Sequence, residues 1–142
     1  VKTVSQLLQD KGREVWSVSP DASVYEAIAL MSEKGVGALV VMQGGAIAGM
    51  ISERDYARKV ILEERSSKET RVGEIMTSRV VCAQPDQSVE QCMALMTEKR
   101  IRHLPVVDGT QLLGMVSIGD LVKAIIADQQ FVISQLEHYI NG

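Results

Sequence analysis

The sequence predicts an α+β fold in which two copies of one β-α-β-β-α unit, related by a pseudo-twofold, pack sheet to sheet in one compact module. Two observations carry that expectation. The first is internal repetition: a shift of 65 residues lays Val15–Arg58 on Val80–Lys123 without a gap. Pro20, Asp21, Ser23 and Val24 fall on Pro85, Asp86, Ser88 and Val89, while Gly49, Met50, Ser52 and Asp55 fall on Gly114, Met115, Ser117 and Asp120. The second is a change of hydrophobic period inside each copy, from helical spacing to short apolar runs. Open solenoids generally need three or more stacked repeats to bury their faces, so two long units are better explained as a closed pair. Such a pair has two equivalent clefts between its halves.

Each element has a local reason. Thr3–Asp10 reads as a short helix opened by a Thr-x-x-Gln cap. Brief strands are expected near Glu14–Val18 and Val80–Ala83. Ser23-Val-Tyr-Glu26 and Ser88-Val-Glu-Gln91 have capping-box spacing, and behind them Val24, Ala27, Ile28, Met31 and Val89, Cys92, Met93, Met96 recur at helical period. Short apolar strands follow at Ala38–Met42 and His103–Val107. Gln43-Gly44-Gly45 and Asp108-Gly109-Thr110 supply the positive-φ glycine of a hairpin, with return strands at Ala46–Ile51 and Gln111–Val116. A second helix then begins at Ser52 and at Ser117. Met31, Met50, Met96 and Met115 read as core packing.

Glu63–Arg71, rich in charge and serine, reads as a linker, and Val72–Met76 resembles the N-terminal helix in position. Chain order therefore gives two segments: 1–65, the first repeat with the N-terminal helix, and 66–142, the second repeat with the linker and an extended C-terminal helix. That last helix carries more apolar residues than one intramolecular face needs, which predicts packing against another subunit and a homodimer.

Composition narrows the function. With 142 residues, 46% apolar and 23% charged, the chain can build a core, mostly from aliphatic residues and methionine. A net charge of −3 without a basic stripe argues against nucleic acid as the main partner. No apolar stretch has membrane-spanning length and no secretory signal opens the chain, so no membrane role and a cytoplasmic location are expected. No His/Cys/Asp/Glu cluster has metal-ligand spacing, and nucleophile-elbow, phosphate-loop and dinucleotide motifs are missing. No catalytic or metal residue is assigned, and no enzyme is expected.

Ser52-x-x-Asp55 and Ser117-x-x-Asp120 admit two readings. A serine N-cap with an acidic residue three positions on stabilises a helix start by itself. The same carboxylate can accept both hydroxyls of a ribose, with helix amides favouring a nearby phosphate.

Val-Gly-Glu-Ile-Met-Thr (72–77), Arg-Ile-Arg-His-Leu-Pro-Val-Val-Asp (100–108), Gly-Met-Ile-Ser-Glu-Arg-Asp (49–55) and Gly-Met-Val-Ser-Ile-Gly-Asp (114–120) together resemble the tandem cystathionine-β-synthase (CBS) domain pair, or Bateman module. The resemblance covers nearly the whole chain. It implies sensing of an adenine nucleotide (AMP, ADP, ATP or an NAD-type dinucleotide) as a regulatory ligand rather than a required cofactor. It also implies signalling to a regulated protein, here from a stand-alone sensor, and favours ligand contact for the two aspartates. Carried over residue by residue, one site joins Ser52, Arg54 and Asp55 to Val81, Ile101, Arg102, His103 and Pro105, with Arg58 nearby. The other joins Ser117 and Asp120 to Trp16, Val36, Gly37, Ala38 and Val40. The first gathers four cationic side chains; the second has Gly37-Ala38 in place of Arg102-His103 and supplies no phosphate charge. Unequal sites are therefore expected. A constitutive dimerisation scaffold with vestigial clefts is the alternative, and a cryptic nucleotide hydrolase a distant third.

Overall fold

Two small sheets and, among the described residues, six α-helices make up the chain, an α+β architecture as expected. The computed structural model describes Lys2–Asn141; Val1 and Gly142, the outer limits of the two expected segments, lie outside the described residues. The elements are α1 (Val4–Lys11), β1 (Ser17–Val18), α2 (Val24–Lys34), β2 (Ala38–Gln43), β3 (Ala46–Ser52) and α3 (Glu53–Tyr56). A π-helical turn (Ala57–Ile61), α4 (Val72–Ile75), α5 (Val89–Lys99), β4 (His103–Asp108), β5 (Gln111–Ser117) and α6 (Ile118–Asn141) follow.

The repeat is visible bond by bond. β2 and β3 pair antiparallel with Ala38 opposite Ser52 and Val40 opposite Met50; β4 and β5 pair with His103 opposite Ser117 and Pro105 opposite Met115. Both hairpins carry a register shift, after Val41 and after Val106. The brief strands differ. Val40 N–H donates to Trp16 O at 3.3 Å in β1–β2, but its counterpart Pro105 has no N–H to give. The strand expected at Val80–Ala83 accordingly shrinks to a single bridge from Ala83 to Val106.

Two compact units form, and they do not follow chain order. Val15–Val80 make one; the residues before Val15 group with Val81 onward in the other. The N-terminal helix, which chain order puts with the first repeat, thus packs in the unit of the second. The cause is a set of three backbone bonds: Val4 N–H to Gln87 O, Ser5 N–H to Pro85 O and Val89 N–H to Lys2 O, all 2.9–3.0 Å. In the other unit the equivalent set is Val72 to Ala22, Gly73 to Pro20 and Val24 to Thr70, each 2.9 Å. Each long helix therefore starts against the segment that precedes the other repeat. Thr3 and Ser88 form reciprocal capping boxes, whereas Ser23 accepts Glu26 N–H without a return bond from Glu26.

In the Val15–Val80 unit, Val24, Ala27 and Met31 of α2 meet Leu39, Val41, Ile51, Val60, Val72 and Ile75. In the other, Val4, Leu7 and Leu8 of α1 join Val89, Cys92 and Met96 of α5, with Leu104, Val106, Val116 and Leu121. Strand alternation sends Ile51 and Val116 into these cores. Met50 and Met115, expected in the core, are instead only half-buried, on the opposite strand face with Ser52 and Ser117.

Gly49 is needed where β3 passes α4. An added Cβ would lie 2.7 Å from both Thr77 O and Met76 Sδ. At the equivalent Gly114 it would meet only the Leu8 side chain, at 2.9 Å. Gly49→Ala should lower stability by roughly 1 kcal/mol or more, because backbone must move. Gly114→Ala should cost less, since a side-chain end can rotate away. Urea unfolding of the two variants compares them directly; equal losses would contradict the backbone argument.

Candidate functional site

Both Ser-x-x-Asp elements sit where a strand turns into a helix, and both serines cap. Ser52 Oγ accepts Asp55 N–H at 3.2 Å, while Asp55 Oδ2 accepts Ser52 N–H at 3.0 Å and Ser52 O–H at 3.1 Å. Ser117 Oγ accepts Asp120 N–H at 3.2 Å, and Asp120 Oδ2 accepts Ser117 N–H at 2.8 Å. The capping reading is therefore correct as geometry. It leaves carboxylate capacity over, because each oxygen offers two lone pairs.

A lysine takes part of that capacity in each unit, and neither lysine was singled out in the sequence. Lys59 Nζ lies 3.2 Å from Asp55 Oδ1 and donates to Ile75 O at 2.9 Å. The helix expected after Ser52 is not regular here: α3 passes into the π-helical turn that carries Lys59, with Leu62 N–H bonding back to Ala57 O at 3.1 Å. Lys11, at the end of α1, donates to Asp120 Oδ2 at 2.6 Å and to Met115 O at 2.7 Å. Among the described residues Asp120 Oδ1 takes no hydrogen bond. Lys59 was legible as an i,i+4 partner of Asp55. Lys11 was not, since it reaches Asp120 from 109 residues away.

The other candidates take their places unit by unit. In Val15–Val80, Glu53 N–H donates to Gly37 O at 3.0 Å and Ala38 pairs with Ser52, so Val36, Gly37 and Ala38 lie beside the first Ser-x-x-Asp. Arg54 and Arg58 are exposed. Trp16 is half-buried, and Lys34 Nζ stands 4.3 Å from its ring centroid, a cation–π contact that occupies one ring face. Val40 is fully buried in β2.

In the other unit, Ile118 N–H donates to Arg102 O at 2.8 Å and His103 pairs with Ser117. Ile101, Arg102 and His103 thus border the second Ser-x-x-Asp; Pro105 is buried in β4, and Val81 is half-buried outside any strand. Within each unit, the strand entry lies beside the Ser-x-x-Asp of its own repeat. Asp120 also has the Lys11 ammonium against it, at 2.6 Å in its own unit.

Burial pushes the His103 imidazole below its ordinary value, helped by Lys11 and Arg102 and opposed by Asp120. For Asp120, burial pushes upward, but the Lys11 ion pair and the Ser117 bonds outweigh it and hold the carboxyl below the usual range. A lowered folded value means that the unfolded chain binds the proton first. Stability carried by His103 is thus complete above about 6.5 and falls as pH drops through that region. The Asp120 contribution is lost further down, below about 3.9. Urea midpoints measured between about pH 7.5 and 5 should decline in the wild type, and His103→Gln should flatten that decline. An equally steep decline in the variant would remove His103 as its source.

Burial also raises both free thiols, so neither Cys82 nor Cys92 is a ready nucleophile. Among the described residues no group of three His, Cys, Asp or Glu is placed to hold a metal ion, and no helix is long and apolar enough to cross a membrane.

Comparison with known proteins places the fold in a family. The CBS-domain family model matches twice, over residues 5–62 and 72–127. The mitochondrial CBS domain-containing protein CBSX3 of Arabidopsis thaliana is 42% identical, over 99% of this chain and 72% of its own length. The structure of a protein with CBS domains from Burkholderia ambifaria MC40-6 is 60% identical with a TM-score of 0.87, covering 90% of this chain and 96% of that one. The CBS domain pair of protein MJ0100, solved with 5′-methylthioadenosine and S-adenosyl-L-methionine, shares the fold at a TM-score of 0.80 and 22% identity, covering 90% of this chain and 98% of its own.

Proposed function

The chain belongs to the CBS-domain family, and on that premise we propose that it is a regulatory sensor that binds an adenine nucleotide at its Ser-x-x-Asp elements. Occupancy would then be passed to a partner protein. The observation that carries this reading is the twin capped aspartate. Each carboxylate is held by its serine and by a lysine at a helix start, and stands beside a strand entry that can face a ligand. Asp120 combines an oxygen free to accept a hydroxyl with the Lys11 ammonium at 2.6 Å, and His103, paired with Ser117, stands close to Lys11, Arg102 and Asp120. That is the donor and acceptor set a ribose phosphate needs. The MJ0100 pair is an instance of the same fold holding adenosyl ligands.

Which nucleotide binds is part of the proposal: AMP, ADP, ATP or NAD are the candidates, because ribose and phosphate are the groups these residues match. A homodimer is proposed with it, from the exposed apolar residues of α6. Two unpaired thiols suit a reducing compartment such as the cytoplasm. Binding, not turnover, is the role these residues support.

Thermal denaturation with each of these nucleotides tests the reading. A ligand at a hundredfold excess over its dissociation constant should add about 2.7 kcal/mol of stability. Nucleotide concentrations followed in the same samples check for hydrolysis. No shift with any adenine nucleotide would leave the interaction scaffold as the better account.

A further inference from the structure

We propose that α6 is an antiparallel pairing helix for a second copy of this chain, which gives the homodimer reading above a specific geometry and does not depend on the nucleotide reading. Along α6, Val122, Ile126, Gln129, Ile133, Leu136 and Ile140 are spaced alternately four and three residues apart. That spacing averages the 3.5 residues of a two-helix seam, with apolar residues at the core positions and one polar interruption. The five apolar members are exposed, from 41% at Val122 to 77% at Ile140. The face that α6 spends on its own unit is a different one: Leu121 is buried, and Ala124 and Ile125 pack against the core around it. The seam therefore runs from the anchored first turns to the far end of the helix, interrupted only at Gln129.

Charge complementarity selects the partner and its direction. Lys123 and Glu137 are the charged residues flanking this seam, and both lie on the same side of it. When two copies run antiparallel with Val122 opposite Ile140 of the second copy, like flanks face each other. Lys123 of each copy then meets Glu137 of the other, twice by symmetry. The opposite flank brings Val132 toward its own equivalent and Tyr139 toward the edge of Ile125, whose other side packs on its own core. A parallel pair would place Glu137 beside Val132 and leave Lys123 without a counter-charge. Flanking charges of this kind set the direction and choice of partner more than they add stability.

Light scattering on the whole chain at micromolar concentration should give a dimer. Lys123→Glu should raise its dissociation constant severalfold, Glu137→Lys should do the same, and the doubly exchanged variant should restore it. Val122→Cys with Ile140→Cys should form an intermolecular disulfide under mild oxidation, while Val122→Cys alone should not. A monomer at these concentrations would overturn both this proposal and the homodimer reading. A dimer indifferent to the charge exchanges, or one that Val122→Cys alone can cross-link, would overturn the antiparallel seam and leave the homodimer standing. None of these substitutions touches the Ser-x-x-Asp elements, so nucleotide binding reports separately on the other reading.

Discussion

Asp120→Ala is expected to weaken adenine-nucleotide binding by about 1.5–3 kcal/mol, the usual range for a lost hydrogen bond to a charged group. Asp55→Ala should have a comparable effect at its own element. The alanine variants alone do not separate ligand contact from capping, because Ser52 N–H and Ser117 N–H also lose their acceptors. Asn at these positions does separate them. Its side-chain oxygen can still accept the backbone N–H, so helix initiation survives, while the negative charge that attracts ribose hydroxyls is gone. Asp55→Asn should keep a near-wild-type unfolding midpoint in the absence of ligand, Asp120→Asn should lower it modestly because the Lys11 ion pair goes with the charge, and both should lose most of the affinity measured by calorimetry. If the asparagine variants bind as the wild type does, the aspartates are caps and nothing more.

The lysines sharpen that expectation. Lys11 at 2.6 Å from Asp120 means that the carboxylate is partly neutralised before any ligand arrives. With Asp120 replaced by Ala, Lys11 and Arg102 remain near His103 without their counter-charge, and repulsion among them should make the element less able to hold an adenosine that brings no anion. A ligand with phosphate restores an anion and should suffer less. The variant should therefore raise the preference for AMP over adenosine even as it weakens both.

What was legible in the sequence was whatever is written locally and twice. The cap serines, hairpin glycines and apolar strand runs recur at a constant offset, and hydrogen bonding between near neighbours in the chain determines them. The Ser52 and Ser117 caps formed as the spacing implied because each is a contact between residues only three positions apart. Differences arose where the two copies stop being equal. Pro105 cannot donate the bond that Val40 donates, so one brief strand is lost. The turn after Tyr56 is π-helical where α6 runs on regularly, which no periodicity of apolar residues encodes. The longest-range features were invisible: α1 binds the second repeat through backbone bonds to Pro85 and Gln87, and only that docking carries Lys11 to Asp120. Met50 and Met115 were misplaced for a simpler reason, since apolar character alone does not say which face of a strand points to the core.

The remaining expectation concerns phosphate. Arg102 and His103 occupy the positions filled by Gly37 and Ala38 in the first repeat, so Arg102→Gly with His103→Ala makes the two strand entries alike. Both residues lie beside the Ser117 helix start through the backbone of their own unit, Arg102 exposed and His103 half-buried. Cations aimed at a phosphate contribute affinity only when a phosphate is present, and charge-assisted bonds are roughly twice as strong as neutral ones. The double variant should therefore lose AMP affinity on the order of a hundredfold, about 2.7 kcal/mol, while adenosine binding changes little. Salt supplies the second readout. An exposed arginine paired with phosphate is screened once the Debye length falls to about 8 Å near 0.15 M ionic strength. AMP binding by the wild type should weaken as salt rises, and binding by the double variant should weaken less. Lys11 remains in both proteins, so some salt dependence should persist and should vanish only when Lys11→Met is added. A double variant that keeps its full preference for AMP over adenosine would move the phosphate contact to the exposed Arg54 and Arg58, the next residues to replace.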